Sequence, residues 1–118
     1  MQDQSHEMRI EQVDDVHVVA LSGKILDPVC IDAISDRLNE LATSQSCPKI
    51  VLDFSDVSHM SSSALGMLTT LHETAANHEG KLCLCCIRPA IAEIFRITRL
   101  DEVLVIQPGL NEAISAVR

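Results

Sequence analysis

The sequence predicts an α/β protein with a mixed β-sheet of about four or five strands and about four helices packed chiefly on one face. Three observations predict this class: short apolar runs rich in β-branched residues, apolar residues at helical spacing between them, and the alternation of the two patterns along the chain. Such alternation is typical of parallel strands joined by helical crossovers. We expect the 118 residues to form a single domain over 1–118, with a loose polar start over 1–7.

The first predicted elements are two strands and a helix. The segment MRIEQVDDVHVVALSG predicts two strands on either side of Asp14 and Asp15, because its second half alternates between two faces. Asp27 and Pro28 then form a natural helix opening. Apolar residues at helical spacing predict a first amphipathic helix that ends near residue 44: Ile31, Ile34, Leu38 and Leu41.

The rest of the chain alternates between strand and helix. The run KIVLDF is short and nearly all apolar, so we expect a strand buried on both faces at the centre of the sheet. A second helix is predicted from Ser62 or Ser63 to a close at Gly80. KLCLCCI predicts another buried strand, Pro89 opens a third helix, VLVI predicts a last short strand, and a helical stripe covers 110–117.

Net charge limits the class of partner. The formal charge of −8 at pH 7 argues against a nucleic acid or an anionic membrane surface, because both would repel the protein. A basic or neutral protein partner is favoured instead. The start MQDQSHEMRI lacks a signal-peptide pattern, and no run of about 18 apolar residues occurs. We therefore expect a cytoplasmic protein without a membrane span.

The five cysteines, Cys30, Cys47, Cys83, Cys85 and Cys86, are interpreted as reduced thiols. On a strand, Cys83 and Cys85 would face one side of the sheet and Cys86 the other. The chain contains no second, spaced CxxC pair. We therefore predict buried thiols rather than a metal or redox site, and we predict no cofactor.

The stretch MSSSALGML has the most distinctive polar pattern of the chain. Ser61, Ser62 and Ser63 lie at a predicted helix start, shortly after a buried strand. A serine caps a helix by accepting a hydrogen bond from a first-turn N–H, so one of the three has a structural role in any case. Three serines exceed what one cap needs. The start of a helix beyond a parallel strand is a common place for ligand and modification sites.

The segment VLDFSDVSHMSSSALGML resembles the signature of the STAS domain of bacterial anti-sigma factor antagonists. That signature has two parts. The first is Asp, a hydrophobic residue and Ser. The second follows a few residues later and consists, in order, of a hydrophobic residue, Asp, Ser, either Ser or Thr, Gly, Leu and Gly. The resemblance continues in VVALSGKILD and GKLCLCCIRPAIAEIFRITRLDEVL, and so covers nearly the whole chain in order. The matching positions in the first segment are Asp53, Ser55, Met60, Ser62, Ser63, Leu65 and Gly66.

This resemblance implies a partner-switching role in the regulation of transcription. The unphosphorylated domain binds an anti-sigma factor that is also a serine kinase, phosphorylation by that kinase ends the binding, and a serine phosphatase resets the switch. By position the phosphoacceptor is Ser62, with Ser61 and Ser63 as neighbouring candidates. The implied partner-binding residues are Asp27, Asp53, Ser55, Ser62, Ser63, Leu65 and Gly66.

Two positions depart from the family pattern. Ser61 stands where the family has an Asp before the phosphoacceptor, and Ala64 stands where it has a Gly. We expect Ala64 to add a methyl group where a partner would approach. Ser61 favours an alternative function, that of a STAS adaptor or scaffold subunit in a signalling or lipid-transport assembly that is never phosphorylated.

A serine hydrolase is the enzymatic alternative, because Ser62 would lie at a strand-to-helix turn as a nucleophile does. The Gly-x-Ser-x-Gly elbow and a Gly-rich oxyanion loop are both missing from the sequence. A chain of 118 residues also leaves little room for a substrate pocket. We therefore predict that the protein is not an enzyme.

Overall fold

A computed structural model describes residues 8–13, 15–21, 28–43, 47–57 and 62–117. Within these ranges, the side chains of residues 8–9, 28–34 and 62–63 are not described. The expected loose start over 1–7 lies outside the described residues, as do Asp27 and Ser61.

In the part of the chain that the structure describes, five strands form one mixed sheet and lie side by side in their chain order. The first two strands are antiparallel, and each later neighbour pair is parallel. This confirms the predicted mixed sheet, with the KIVLDF strand at its centre. The strands are β1 (Met8–Val13), β2 (Val16–Leu21), β3 (Lys49–Asp53), β4 (Lys81–Cys85) and β5 (Val105–Gln107).

Helices connect the parallel strands, as the alternating pattern predicts. Helix α1 leads from β2 to β3, α2 from β3 to β4, and α3 with a short 3₁₀ turn from β4 to β5. Helix α2 begins at Ser62 and α3 at Pro89, as expected from the sequence. The helices are α1 (Pro28–Thr43), α2 (Ser62–Asn77), α3 (Pro89–Ile97) and α4 (Leu110–Val117), and the 3₁₀ turn is Leu100–Glu102.

Two apolar clusters cover the two faces of the sheet. On one face, buried residues of α1, α2 and α3 pack against alternate residues of β2, β3 and β4. On the other face, Ala113, Ile114 and Val117 of α4 pack against Val16, Val18, Val51, Cys83 and Cys85. Three helices therefore share one face and one helix covers the other, which confirms the expected one-sided packing.

The last strand differs in its bounds from the predicted VLVI segment. The backbone N–H groups of Val103 and Leu104 both donate to the carbonyl of Leu100, so the 3₁₀ turn holds these residues before the strand begins. Leu104 is buried, whereas Val103 is exposed. Val103 and Leu104 belong to the turn and the strand begins at Val105, although all three residues are apolar. The apolar pattern alone therefore could not show where the turn ends and the strand begins.

The connection from α2 to β4 is built on a close backbone approach at Gly80. Glu79 adopts the left-handed conformation at φ 61°, and the Gly80 N–H donates to the Ala75 carbonyl at 2.7 Å. The Lys81 N–H then donates to the Pro48 carbonyl at 2.7 Å, which aligns the start of β4 with the start of β3. A methyl group on Gly80 would collide with the carbonyl oxygen and the ring of Pro48.

The Gly80→Ala variant should lower the free energy of unfolding by about 1–3 kcal/mol, because the new methyl group forces the two strand starts apart. Gly109→Ala is the matched control, since its methyl group would meet only the mobile end of the Glu112 side chain. The control should lose less, about 0.5–1 kcal/mol, because Gly109 caps the start of α4 and alanine caps a helix less well. Urea unfolding compares the three proteins, and equal midpoints for the two variants would contradict the close approach.

Candidate functional site

The carboxyl ends of β3 and β4 lie side by side. The two strands pair in register from Lys49 with Lys81 to Asp53 with Cys85. Helix α2 follows β3 and α3 follows β4, so both helices begin at the same edge of the sheet. We call the surface made by residues 53–57, 62–66 and 85–88 the carboxyl edge.

The first residues of the loop after β3 are fixed by backbone hydrogen bonds and by buried side chains. The N–H of Phe54 donates to the Cys85 carbonyl at 3.0 Å and extends the ladder one residue past the strand. The Val57 N–H donates to the Phe54 carbonyl at 3.0 Å and closes a turn. Both side chains are fully buried, and the Phe54 ring meets Phe95 of α3 edge to face. Residues 54–57 of this loop are therefore anchored to β4 and to the core.

Polar groups form the outer side of this loop. Asp53 ends β3, and its Oδ1 accepts a hydrogen bond from the Ser55 N–H at 2.9 Å. This side-chain bond imitates a backbone turn and sets the direction of the chain after the strand. Asp53 is half-buried, whereas Ser55 and Asp56 are exposed. The carboxylate thus shapes the loop, and the serine beside it is exposed.

Arg88 joins the two halves of the carboxyl edge and was missed by the sequence analysis. Its Nε donates to the Ser55 carbonyl at 3.0 Å, which ties the start of α3 to the loop after β3. The side chain is exposed. The sequence did offer one signal, since Arg88 directly precedes Pro89. That position puts a cation at the start of α3, on the carboxyl edge. Only the fold shows that the neighbouring loop is that of β3.

Ser62 is the first residue of α2, at the carboxyl edge. The first turn of α2 contains no acidic residue. The unpaired N–H groups of a helix start carry a partial positive charge, so a negative group at this point is favourable for the helix. The backbone position of Ser62 therefore suits a residue that acquires negative charge.

The next residues of α2 divide between core and surface. Ala64 is fully buried among the apolar residues of α1–α3, so its methyl group lies in the core. The expectation that this methyl group meets a partner is therefore wrong, because the helix turns this position inward. Leu65 is half-buried against the same cluster. Gly66 is exposed, and a methyl group there would meet no described atom within 4 Å.

The structure brings together most of the predicted partner-binding residues. Asp53, Ser55, Leu65 and Gly66 all belong to the carboxyl edge, and the backbone positions of Ser62 and Ser63 lie there too. Asp27 lies outside the described residues.

The carboxyl edge also holds a group of potential metal ligands. The carboxylate of Asp53 and the thiols of Cys85 and Cys86 offer ligand atoms that lie within 4.8 Å of one another. Burial raises the pKa of the Cys85 thiol, and the adjoining Cys86 thiol and Asp53 carboxylate raise it further. The expectation that Cys86 faces away from Cys85 is wrong, because β4 ends at Cys85 and Cys86 turns at φ 59°.

The family model described as the STAS domain matches residues 7–113. The chain belongs to the STAS domain family. The resemblance seen in the serine-rich segment is thereby confirmed. Among the described helices of this STAS domain, none combines the length and the apolar content that a membrane crossing requires.

Solved structures share this architecture. A crystal structure of an anti-sigma factor antagonist from Mycobacterium paratuberculosis is 29% identical, with 94% of this chain and 92% of that chain covered and a TM-score of 0.82. A protein of Thermotoga maritima is 22% identical, with 98% and 99% covered and a TM-score of 0.85. The Bacillus cell fate determinant SpoIIAA in its phosphorylated form is 22% identical, with 94% and 99% covered and a TM-score of 0.72.

A negative charge placed at the start of α2 should stabilise this STAS domain. The Ser62→Glu variant is expected to raise the free energy of unfolding by about 0.3–1 kcal/mol, because the carboxylate meets the positive end of the helix. Asn77→Glu, which puts the same charge at the other end of the same helix, should lower it by a similar amount. Urea unfolding at low ionic strength measures both. Equal shifts of one sign in the two variants would contradict the assignment of the helix start.

Proposed function

We propose that this STAS domain is an anti-sigma factor antagonist that binds an anti-sigma factor serine kinase when unphosphorylated and is released when Ser62 is phosphorylated. The observation that carries the proposal is the position of Ser62 as the first residue of α2, on an edge whose loops are held by Asp53, Phe54 and Arg88. The family, and the likeness to an antagonist that is 29% identical, support it.

The physical basis of the switch is a change of charge on an otherwise constant surface. A phosphate brings about two negative charges and three acceptor oxygens to the start of α2. The helix start tolerates that group, so the fold survives its addition. A kinase surface that had packed against an uncharged serine must then desolvate the phosphate and meets new repulsion from any acidic group. The phosphate therefore ends binding without unfolding the domain.

In this proposal the domain acts as a substrate and a ligand rather than as an enzyme. The partner kinase transfers the terminal phosphoryl group of ATP to the Ser62 hydroxyl, and the hydroxyl proton is released. A serine phosphatase later hydrolyses the ester and restores the hydroxyl. The reactions take place in the cytoplasm, where ATP and the sigma factor are found. No cofactor on the STAS domain takes part.

Ser61 favours a second candidate function. It stands where the family pattern has an Asp before the phosphoacceptor. A domain without that carboxylate could serve as an adaptor or scaffold subunit that is never phosphorylated. In that case the carboxyl edge binds its partner constitutively, and a negative charge at position 62 has little effect.

Phosphorylation itself separates the two candidates. With the cognate anti-sigma factor kinase and ATP, intact-protein mass spectrometry should show one phosphate, and peptide mapping should place it on Ser62. Ser62→Ala should remove the modification, whereas Ser63→Ala, one residue along the same helix, should keep it. Ser62→Asp should abolish binding to the kinase. A stable kinase complex with Ser62→Asp, or no phosphate at all, would favour the adaptor, and phosphate on another residue would contradict the assignment of Ser62.

Gly66 tests whether the partner approaches the backbone of α2 closely. Gly66→Ala should raise the free energy of unfolding by about 1 kcal/mol, because the position is exposed inside a helix and the methyl group has space. The same methyl group should weaken kinase binding by about tenfold if the partner packs there. Asn77→Ala, at the far end of α2, is the control and should leave affinity unchanged. Unchanged affinity in Gly66→Ala would remove this part of the helix from the interface.

A further inference from the structure

Asp53, Cys85 and Cys86 form a cluster of possible metal ligands. The proposed phosphorylation of Ser62 requires no metal bound by them. The three residues come from the ends of two paired strands, Asp53 from β3 and the cysteines from β4 and the turn that follows it. Their ligand atoms lie within 4.8 Å of one another. Cys85 is fully buried, and Asp53 and Cys86 are half-buried.

The backbone explains why neighbouring cysteines can act together. Successive residues of a strand point to opposite faces, so an extended Cys86 would carry its thiol away from Cys85. The strand instead ends at Cys85, and Cys86 adopts φ 59°. Cys86 then packs against the same apolar cluster that contains Cys83 and Cys85. Both thiols therefore lie beside the carboxylate that is paired with Cys85 in the register.

The donor set selects a class of ion. Two thiolates and one carboxylate suit a thiophilic d¹⁰ divalent cation, whereas magnesium and calcium prefer oxygen ligands alone. Around a tetrahedral zinc ion, two sulfur ligands at about 2.3 Å are separated by about 3.8 Å. Donor atoms within 4.8 Å of one another need to move by only about 1 Å to reach that arrangement.

We propose that Asp53, Cys85 and Cys86 form a binding site for a divalent cation of the zinc class, with three protein ligands and a fourth position open to water. Binding replaces two S–H bonds with two metal–sulfur bonds and releases two protons. With Asp53 as a carboxylate, the net charge of the cluster is −1 before and after binding, so the half-buried site gains no charge. The Ser55 N–H on Asp53 Oδ1 orients the carboxylate from outside.

Cadmium titration of the reduced protein tests the site without any partner protein, so its result is independent of the proposed function. Cadmium stands in for zinc because its bonds to thiolates give a charge-transfer band in the ultraviolet, which histidine sites do not give. The band should saturate at one Cd²⁺ per chain. In a separate sample loaded with Zn²⁺, added Cd²⁺ should release one Zn²⁺ per chain. A chromophoric chelator measures the released Zn²⁺.

Variants assign the band to the three ligands. Cys86→Ser and Cys85→Ser should each reduce the band to background or to a weak single-thiolate signal, and Asp53→Asn should weaken Zn²⁺ binding. Cys47→Ser, at an exposed thiol, and Cys30→Ser are the matched controls and should keep the full band. Circular dichroism shows whether each variant is folded. If Cys85→Ser, which changes a buried residue, does not fold, the comparison of Cys86→Ser with the parent protein decides the result.

Three results would overturn the site. One is the absence of a band that saturates at a single equivalent, and another is a full band in folded Cys86→Ser. The third is a disulfide between Cys85 and Cys86 in the metal-free protein, located by peptide mapping without reductant and lost on reduction.

Discussion

The parallel, in-register pairing of β3 and β4 is the constraint on which the site depends. Five residue pairs, from Lys49 with Lys81 to Asp53 with Cys85, align the two strands so that they end side by side. The opposite end of the pair is held by the close contact between Gly80 and Pro48. Because a helix follows each strand, this register decides which loops and which helix starts share one surface. A shift of one residue would separate Asp53 from Cys85.

One surface consequently carries two kinds of chemistry. The start of α2 offers the unpaired N–H groups of a helix beginning, which favour a negative charge. The Asp53 carboxylate and the thiols of Cys85 and Cys86 lie at the ends of β3 and β4, where Cys85 is buried and the other two are half-buried. Asp53 belongs to both, since it shapes the Ser55 turn and stands beside the thiols. The proposed phosphorylation site and the proposed metal site therefore belong to the same edge of the sheet, with Asp53 common to both.

Most of the fold could be predicted from sequence because its signals are local. Strand runs, helical spacing and Pro89 define the elements, and the order of elements limits the topology. The errors have two physical origins. Cys86 leaves the strand pattern because it turns at a positive φ, and Ala64 lies inward because it shares the buried helical face of Leu68 and Leu71. Arg88 was missed because its contact with Ser55 joins loops 33 residues apart.

In the proposed switch, the partner docks on the carboxyl edge and Ser62 controls the docking. Hydrogen–deuterium exchange of the domain with and without the anti-sigma factor kinase measures where the partner binds. Exchange should slow on binding at the amides of 54–57, 64–66 and 86–88 and stay unchanged in α4, and the protection should be lost after phosphorylation. Protection confined to α4 or to β1, or protection that survives phosphorylation, would contradict the proposed switch.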